Sequence, residues 1–196
     1  MSRLRSILPP LLGLLLGLAA GWAAFPYLLY EHEAQPLSFS HAAHAGETLG
    51  LGCEDCHGFE PDGTFIGVPP IEQCAACHEE TIGDSADEAI LVRDYVQPRR
   101  EVPWRVYSRE PDNAYFPHVV HVREAGIICE RCHGEHGATS TLRPFERNRV
   151  SGYSRDIWGK RISGIATVAS DGKKMSDCLR CHATEDVAAS CQDCHR

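Results

Sequence analysis

The chain has ten cysteines and eleven histidines among its 196 residues, and every cysteine falls into one spacing. Cys-x-x-Cys-His occurs at Cys53, Cys56 and His57; at Cys74, Cys77 and His78; at Cys129, Cys132 and His133; at Cys178, Cys181 and His182; and at Cys191, Cys194 and His195. The chemistry served by this spacing is covalent haem attachment: two thiols add to two vinyl groups, and the adjacent imidazole turns back onto the iron. Disulfides and zinc sites also use paired cysteines, but neither needs a histidine directly after the second cysteine in every copy. The five copies predict five covalently attached c-type haems, with ten thioether cysteines and five proximal histidines.

Each motif supplies one face of its iron, and what stands on the other face separates electron transfer from catalysis. The histidines outside the motifs are His32, His41, His44, His118, His121 and His136. Four of them lie in matching stretches. Phe39-Ser40-His41-Ala42-Ala43-His44 ends nine residues before Cys53, and Phe116-Pro117-His118-Val119-Val120-His121 ends eight residues before Cys129. Imidazoles three residues apart share a helix face with Cβ atoms about 5–6 Å apart. That suits two neighbouring irons better than one. The repeat marks two related modules, the first with two haem motifs and the second with three. His32 follows the apolar N-terminus, where a histidine can serve quinol proton chemistry or simply be solvated, and spacing alone assigns no role to His136.

In these stretches the chain resembles the small class III cytochromes of the c3 and c7 type. In that family the first histidine of Phe-x-His-x-x-His ligates the haem that follows, and the second ligates a later one. The resemblance implies His41 opposite His57, His44 opposite His78, His118 opposite His133, and His121 opposite His182. Where the three-haem members carry a histidine just before their middle site, this chain has Met175, three residues before Cys178. Met175 is expected to complete the His195 haem, with His136 as its rival. Met/His ligation raises a reduction potential above bis-His, so the His195 haem is expected to be the most oxidising and to mark the exit end.

The elements that must hold these sites start with an anchor at residues 1–30. Arg3 and Arg5 precede an uncharged run from Ile7 to Tyr30, closed by Trp22, Tyr27 and Tyr30. The run can cross a hydrocarbon core of about 30 Å as a helix, with the N-terminus in the cytoplasm and the haem sites outside the cytoplasmic membrane. A cleaved signal peptide, with Ala19, Gly21 and Ala23 near the cut, is the competing reading. The run's length and aromatic end favour the anchor. A two-haem module follows at 31–92, opened by a polar lead from Glu31 to Leu37. An extended connector at 93–114 comes next, where Pro98, Pro103, Trp104 and Pro111 show no helical period. The three-haem module at 115–196 contains a surface excursion at 137–174 around Trp158.

The fold class expected is mostly irregular with short α-helices. One is expected over Thr184–Ser190, which would hold His182 and Cys191 about 14 Å apart and make the last two haems neighbours. Some 166 residues beyond the anchor leave roughly 33 per haem, too few for an ordinary apolar core, so the apoprotein should be largely unfolded. A net charge of −8 excludes nucleic acid as a partner. Only Lys160, Lys173 and Lys174 are lysines; the more abundant arginines suit propionates, whose carboxylates a guanidinium holds with two hydrogen bonds.

Over most of its length the chain is similar to the pentahaem cytochrome subunit of alternative complex III, a bacterial quinol-oxidising assembly. The likeness rests on the single N-terminal anchor, the Phe39–His44 stretch, and the connector from Val102-Pro103-Trp104 to Pro111-Asp112 with Tyr115-Phe116-Pro117-His118 after it. Cys129-Glu130-Arg131-Cys132-His133-Gly134 completes it. The related quinone reductase complex of sulfate reducers has a similar subunit with six haems, and five motifs favour alternative complex III. The resemblance implies an electron relay with no catalytic residue of its own. Its implied partners are an iron–sulfur subunit of molybdoenzyme type, polytopic quinol-binding membrane subunits, and a monohaem cytochrome c or an oxidase. A stand-alone quinol dehydrogenase of the small tetrahaem type would carry a methionine ligand after its first motif, where this chain has none between Gly58 and Gly63. A terminal multihaem reductase would need an open iron. A quinone-reducing complex stays open as the alternative direction.

Overall fold

The computed structural model describes residues 2–108, 113–152 and 173–195. Helix α1 (Ser2–Leu28) is unbroken. Its 27 residues span about 40 Å at 1.5 Å each. Within it, Ile7–Ala24 has a mean hydropathy of 1.8 and no part buried by the rest of the chain. It is long and apolar enough to cross a membrane.

Just past α1 the polar lead turns out to be a strand. Strand β1 (Tyr30–Glu33) pairs antiparallel with β2 (Phe145–Asn148), with Tyr30 opposite Asn148 and Glu33 opposite Phe145. Short strands of this kind show no alternation that marks them in sequence, and their partners lie over a hundred residues apart. Charge pairing holds the register: Arg147 binds Glu31 and Glu33, and His32 lies 3.3 Å from Glu146. The lead is therefore tied to the second module, a link the sequence reading lacked.

The apolar core is small. Leu37, Ile71, Ala75, Val96 and Val102 are buried together, with Cys74, Tyr95 and Trp104 against them. Ile71 and Ala75 come from helix α4 (Ile71–Ala75), which carries the second haem motif. Val96 comes from a π turn (Val92–Val96) that continues helix α5 (Ala86–Leu91). This corrects the expectation of an extended chain from residue 93. Val92 and Val96 are spaced to bury on one side, so the turn persists until Val96 and the chain extends only from Glu101. Across that extended stretch, Gln35 exchanges two 3.0 Å hydrogen bonds with the Arg105 backbone.

The remaining elements are short: α2 (His41–Ala45), α3 (Cys53–Cys56), a π turn (Val120–Glu124), α6 (Glu130–His133), a 3-10 turn (His136–Ala138), α7 (Met175–Thr184) and α8 (Cys191–Cys194). The helix expected at Thr184–Ser190 is not formed. Helix α7 instead holds the fourth motif and stops where that helix was expected to run. Asp186 takes a left-handed φ of 54°, and the Val187 N–H bonds the His182 carbonyl at 2.9 Å. This is the Schellman closure that ends helices, and 187–190 run without helix to Cys191. Residues 109–112 of the connector, with Pro111, and residues 153–172 of the excursion, with Trp158 and Lys160, lie outside the described residues.

Candidate functional site

The local fold of each Phe-x-His-x-x-His stretch follows from its residues. Ser40 caps α2 by accepting the Ala43 N–H at 3.1 Å, as N-cap serines do. One turn on, the His44 Nδ1–H donates to the Ser40 carbonyl at 2.8 Å. The second stretch repeats the device: His121 Nδ1–H donates to the Pro117 carbonyl at 3.0 Å. A proton on Nδ1 leaves the Nε2 lone pair of both rings free for a metal. The phenylalanines repeat too. Phe39 stacks on His44 at 4.5 Å and meets His41 edge-on at 5.0 Å, while Phe116 stacks on His121 at 4.2 Å and meets His118 edge-on at 4.8 Å. Each ring fixes both imidazoles of its pair, which explains the aromatic at that position.

Four of these histidines face motif histidines. Ring centroids stand 6.5 Å apart for His41 and His57, 6.2 Å for His44 and His78, 6.4 Å for His118 and His133, and 6.1 Å for His121 and His182. A nitrogen binds a first-row metal ion at about 2.0 Å, and a ring centroid lies about 1.1 Å behind its nitrogen, so two imidazoles on opposite faces of one ion stand about 6.2 Å apart. The four gaps fit an iron held between two histidines, and the residues present fit haem. Burial, then the adjacent rings of His57, His136 and His44, lowers the pKa of His41; burial, then His133 and His121, lowers that of His118. Both shifts favour the neutral ring, the state that ligates.

In two of the motifs the second x residue is an aspartate that closes the helix start: Asp55 accepts the Gly52 N–H at 2.7 Å, and Asp193 accepts the Ser190 N–H at 2.7 Å. The thiols of neighbouring motifs lie close enough to perturb one another electrostatically. Burial, Asp55 and Cys77 raise the Cys56 thiol, and burial and Cys56 raise Cys74. Burial and then Cys53 raise Cys129, while burial and Cys181 raise Cys132 against the pull of Lys173 and Arg131. Side-chain contacts join the sites in pairs: Gln73 Nε2–H donates to the Asp55 carbonyl between the second and first, Cys53 Sγ lies 3.9 Å from Glu130 Oε1 between the first and third, and Arg131 lies 2.7 Å from Glu185, just past the fourth. The last site reaches the start of the second module differently: His195 Nδ1–H donates to the Asn113 carbonyl at 2.9 Å, and the Tyr115 N–H to the Cys194 carbonyl at 2.7 Å.

The two modules meet at the first and third sites. Phe65 stacks on His118 at 4.1 Å, and Arg123 lies 4.4 Å over Phe59 and 3.8 Å from Glu54. Gly63 packs beside Val119 at this contact, and its φ of 86° is one that favours glycine. Of the other two sequence candidates, Met175 opens α7 with 58 % of its surface exposed, whereas His136 sits in the first module's cluster, 6.5 Å from His41. His32 is a surface residue of β1 beside Glu146.

One residue at these sites escaped the sequence reading. Glu88 accepts the His78 Nδ1–H at 2.9 Å. Its carboxyl is held below the usual range by the Ile82 and Gly83 backbone N–H groups and by His78. No spacing rule joins a glutamate to a motif ten residues earlier; only the folded loop between them does.

No protein-family model matches the chain. The chain is similar to the multihaem cytochrome c subunit of menaquinone reductase from Nitratidesulfovibrio vulgaris (strain Hildenborough), with 32 % identity over 203 residues, 96 % of this chain and 89 % of that protein. A second likeness, 26 % over 117 residues, is to the C-type polyheme cytochrome OmcB of Geobacter sulfurreducens, and covers 56 % of this chain but 12 % of that protein.

Proposed function

The chain belongs to the family of multihaem c-type cytochromes that includes the menaquinone reductase cytochrome subunit, and from that premise we propose that it is the membrane-anchored pentahaem relay of a quinone-linked respiratory complex. Haem bound covalently at each motif supplies reversible one-electron chemistry. The chain's own residues do the rest. The ten motif cysteines tether, the five motif histidines ligate from one side, and His41, His44, His118 and His121 ligate from the other. The four facing pairs at 6.1–6.5 Å carry this reading, because two imidazoles per iron leave no position for substrate. Exposed apolar side chains beside the motifs, Leu51, Ile128 and Leu179, support it as the surface a porphyrin covers. Met175 is assigned to the fifth iron opposite His195; the seat of His136 beside His41 supports that choice over its rival.

The side-chain contacts between neighbouring motifs support a relay order of second site, first, third, fourth, with the fifth beside the start of the second module. The third site, Cys129 to His133, is the junction between the two-haem and three-haem arms. Helix α1 would hold this relay at the membrane by a single pass, with the haem sites on the outer side.

We place the chain in a quinol-oxidising complex of the alternative complex III type, on the five motifs and the stretches quoted above. Its partners there are an iron–sulfur subunit of molybdoenzyme type, polytopic quinol-binding subunits, and a monohaem cytochrome or oxidase as acceptor. The opposite direction, quinone reduction, is favoured by the name of the 32 % identical relative. Purification from the native membrane decides between them. Haem reduction by added quinol, followed by electron delivery to cytochrome c, is expected. Reduction of a menaquinone analogue by reduced cytochrome, with no quinol oxidation, would reverse the assignment. Isolation as a lone soluble cytochrome would defeat the complex.

A further inference from the structure

The motif histidines differ in what accepts their Nδ1–H. His57 and His195 donate to backbone carbonyls, of Gly67 and Asn113. His78 instead donates to a carboxylate, Glu88 Oε1 at 2.9 Å, and both side chains are largely shielded, 18 % and 11 % exposed.

Glu88 is held on its target from three directions. Its Oε1 also accepts the Ile82 N–H at 2.9 Å, and its Oε2 accepts the Gly83 N–H at 2.9 Å. The loop from Glu79 to Ser85 returns from His78 to helix α5, where Glu88 occupies the first turn. A Cβ on Gly83 would stand 2.9 Å from Glu88 Oε2, so any other residue there would displace the carboxylate from this position. Were Glu88 merely a fastener for the loop, its two backbone bonds would suffice. The same Oε1 also faces the imidazole at hydrogen-bond distance.

We propose that Glu88 is a positioning residue that draws on the His78 Nδ1–H, makes His78 a stronger electron donor to its iron, and lowers the reduction potential of that haem. The proposal rests on the reading above that His44 and His78 hold one iron. The physical basis is the outer-sphere effect of a carboxylate on a metal-bound histidine: as the Nδ1 proton is drawn toward the carboxylate, Nε2 becomes more basic and favours the ferric over the ferrous iron. The second site packs against the first, where Gln73 Nε2–H donates to the Asp55 carbonyl. A lowered potential makes this haem a low-potential member of the relay.

The test uses the full-length holoprotein in its native complex, followed by redox titration with optical and low-spin EPR detection. His44→Ala identifies the haem: the low-spin signal it abolishes belongs to the His78 site. Glu88→Gln keeps an oxygen for the backbone donors and removes the charge. Expected is an upward move of that one transition by at least tenfold in its reduction equilibrium, about 59 mV for one electron, with a changed EPR signal and the other four transitions fixed. Glu88→Asp, which keeps the charge at shorter reach, should fall between the two, and it decides the question if Glu88→Gln loses haem. An unmoved transition in variants that retain five haems would overturn the role of Glu88. If His44→Ala abolishes no low-spin signal, the ligation reading itself has failed instead.

Discussion

Replacing His121 with alanine separates the two halves of the ligation scheme. In the structure His121 faces His182 at 6.1 Å, whereas His118, three residues earlier, faces His133 at 6.4 Å. One substitution should therefore empty one iron and leave its neighbour intact. The cost to the polypeptide is small. His121→Ala loses one hydrogen bond to the Pro117 carbonyl, worth about 1 kcal/mol. It also loses the stacking with Phe116 at 4.2 Å, worth about 0.5–1.5 kcal/mol, and regains about 0.5 kcal/mol of helix propensity. The net cost of about 1–2 kcal/mol lies well under the stability of a folded domain, about 5–15 kcal/mol. Haem attachment should persist, because the tethering cysteines are untouched. EPR and near-infrared spectra of the oxidised holoprotein should show one low-spin haem in five converted to high spin. His118→Ala should convert a different one, and the double variant both. Loss of two low-spin haems in either single variant, or of none, would refute the one-histidine-one-iron assignment.

Three further outcomes are expected. Met175→His should lower the highest of the reduction potentials in a redox titration and leave the rest, since bis-His ligation lies below Met/His; an unmoved highest potential would remove Met175 from the His195 site. Phe65→Ala, which strips the 4.1 Å stack on His118, should weaken the contact between the modules by about 0.5–1.5 kcal/mol, read as an altered EPR signal for the His133 haem with no loss of low spin. Protein made without haem attachment should show little helical circular dichroism beyond helix α1 and bind hydrophobic dye, because only seven apolar residues are buried among the described residues and metal-dependent small domains fold with their cofactor.

The chemistry was legible in the sequence because it is local. A thiol pair and the histidine directly after it attach a haem whatever surrounds them, and a Phe-x-His-x-x-His stretch builds its own capped turn, with Phe39 and Phe116 stacked on the histidines within it. The same locality made α1 readable, as an uncharged run long enough to span a bilayer. Features that depend on distant residues were not. Strand β1 needs β2 more than a hundred residues away; the turn at Val92–Val96 needs Leu37 and Ile71 to bury against; and α7 stops at Thr184, closed by the left-handed Asp186, where composition alone would have continued the helix.

The sequence by itself determined which atoms are spaced to hold haem, since covalent attachment and proximal ligation are properties of adjacent residues, and the family resemblance implied the distal pairings. Only the tertiary structure decided how close each pair of rings stands, which motifs lie together, and that a carboxylate from α5 stands behind His78. Those are distances between segments brought together by folding, and a spacing along the chain carries no record of them.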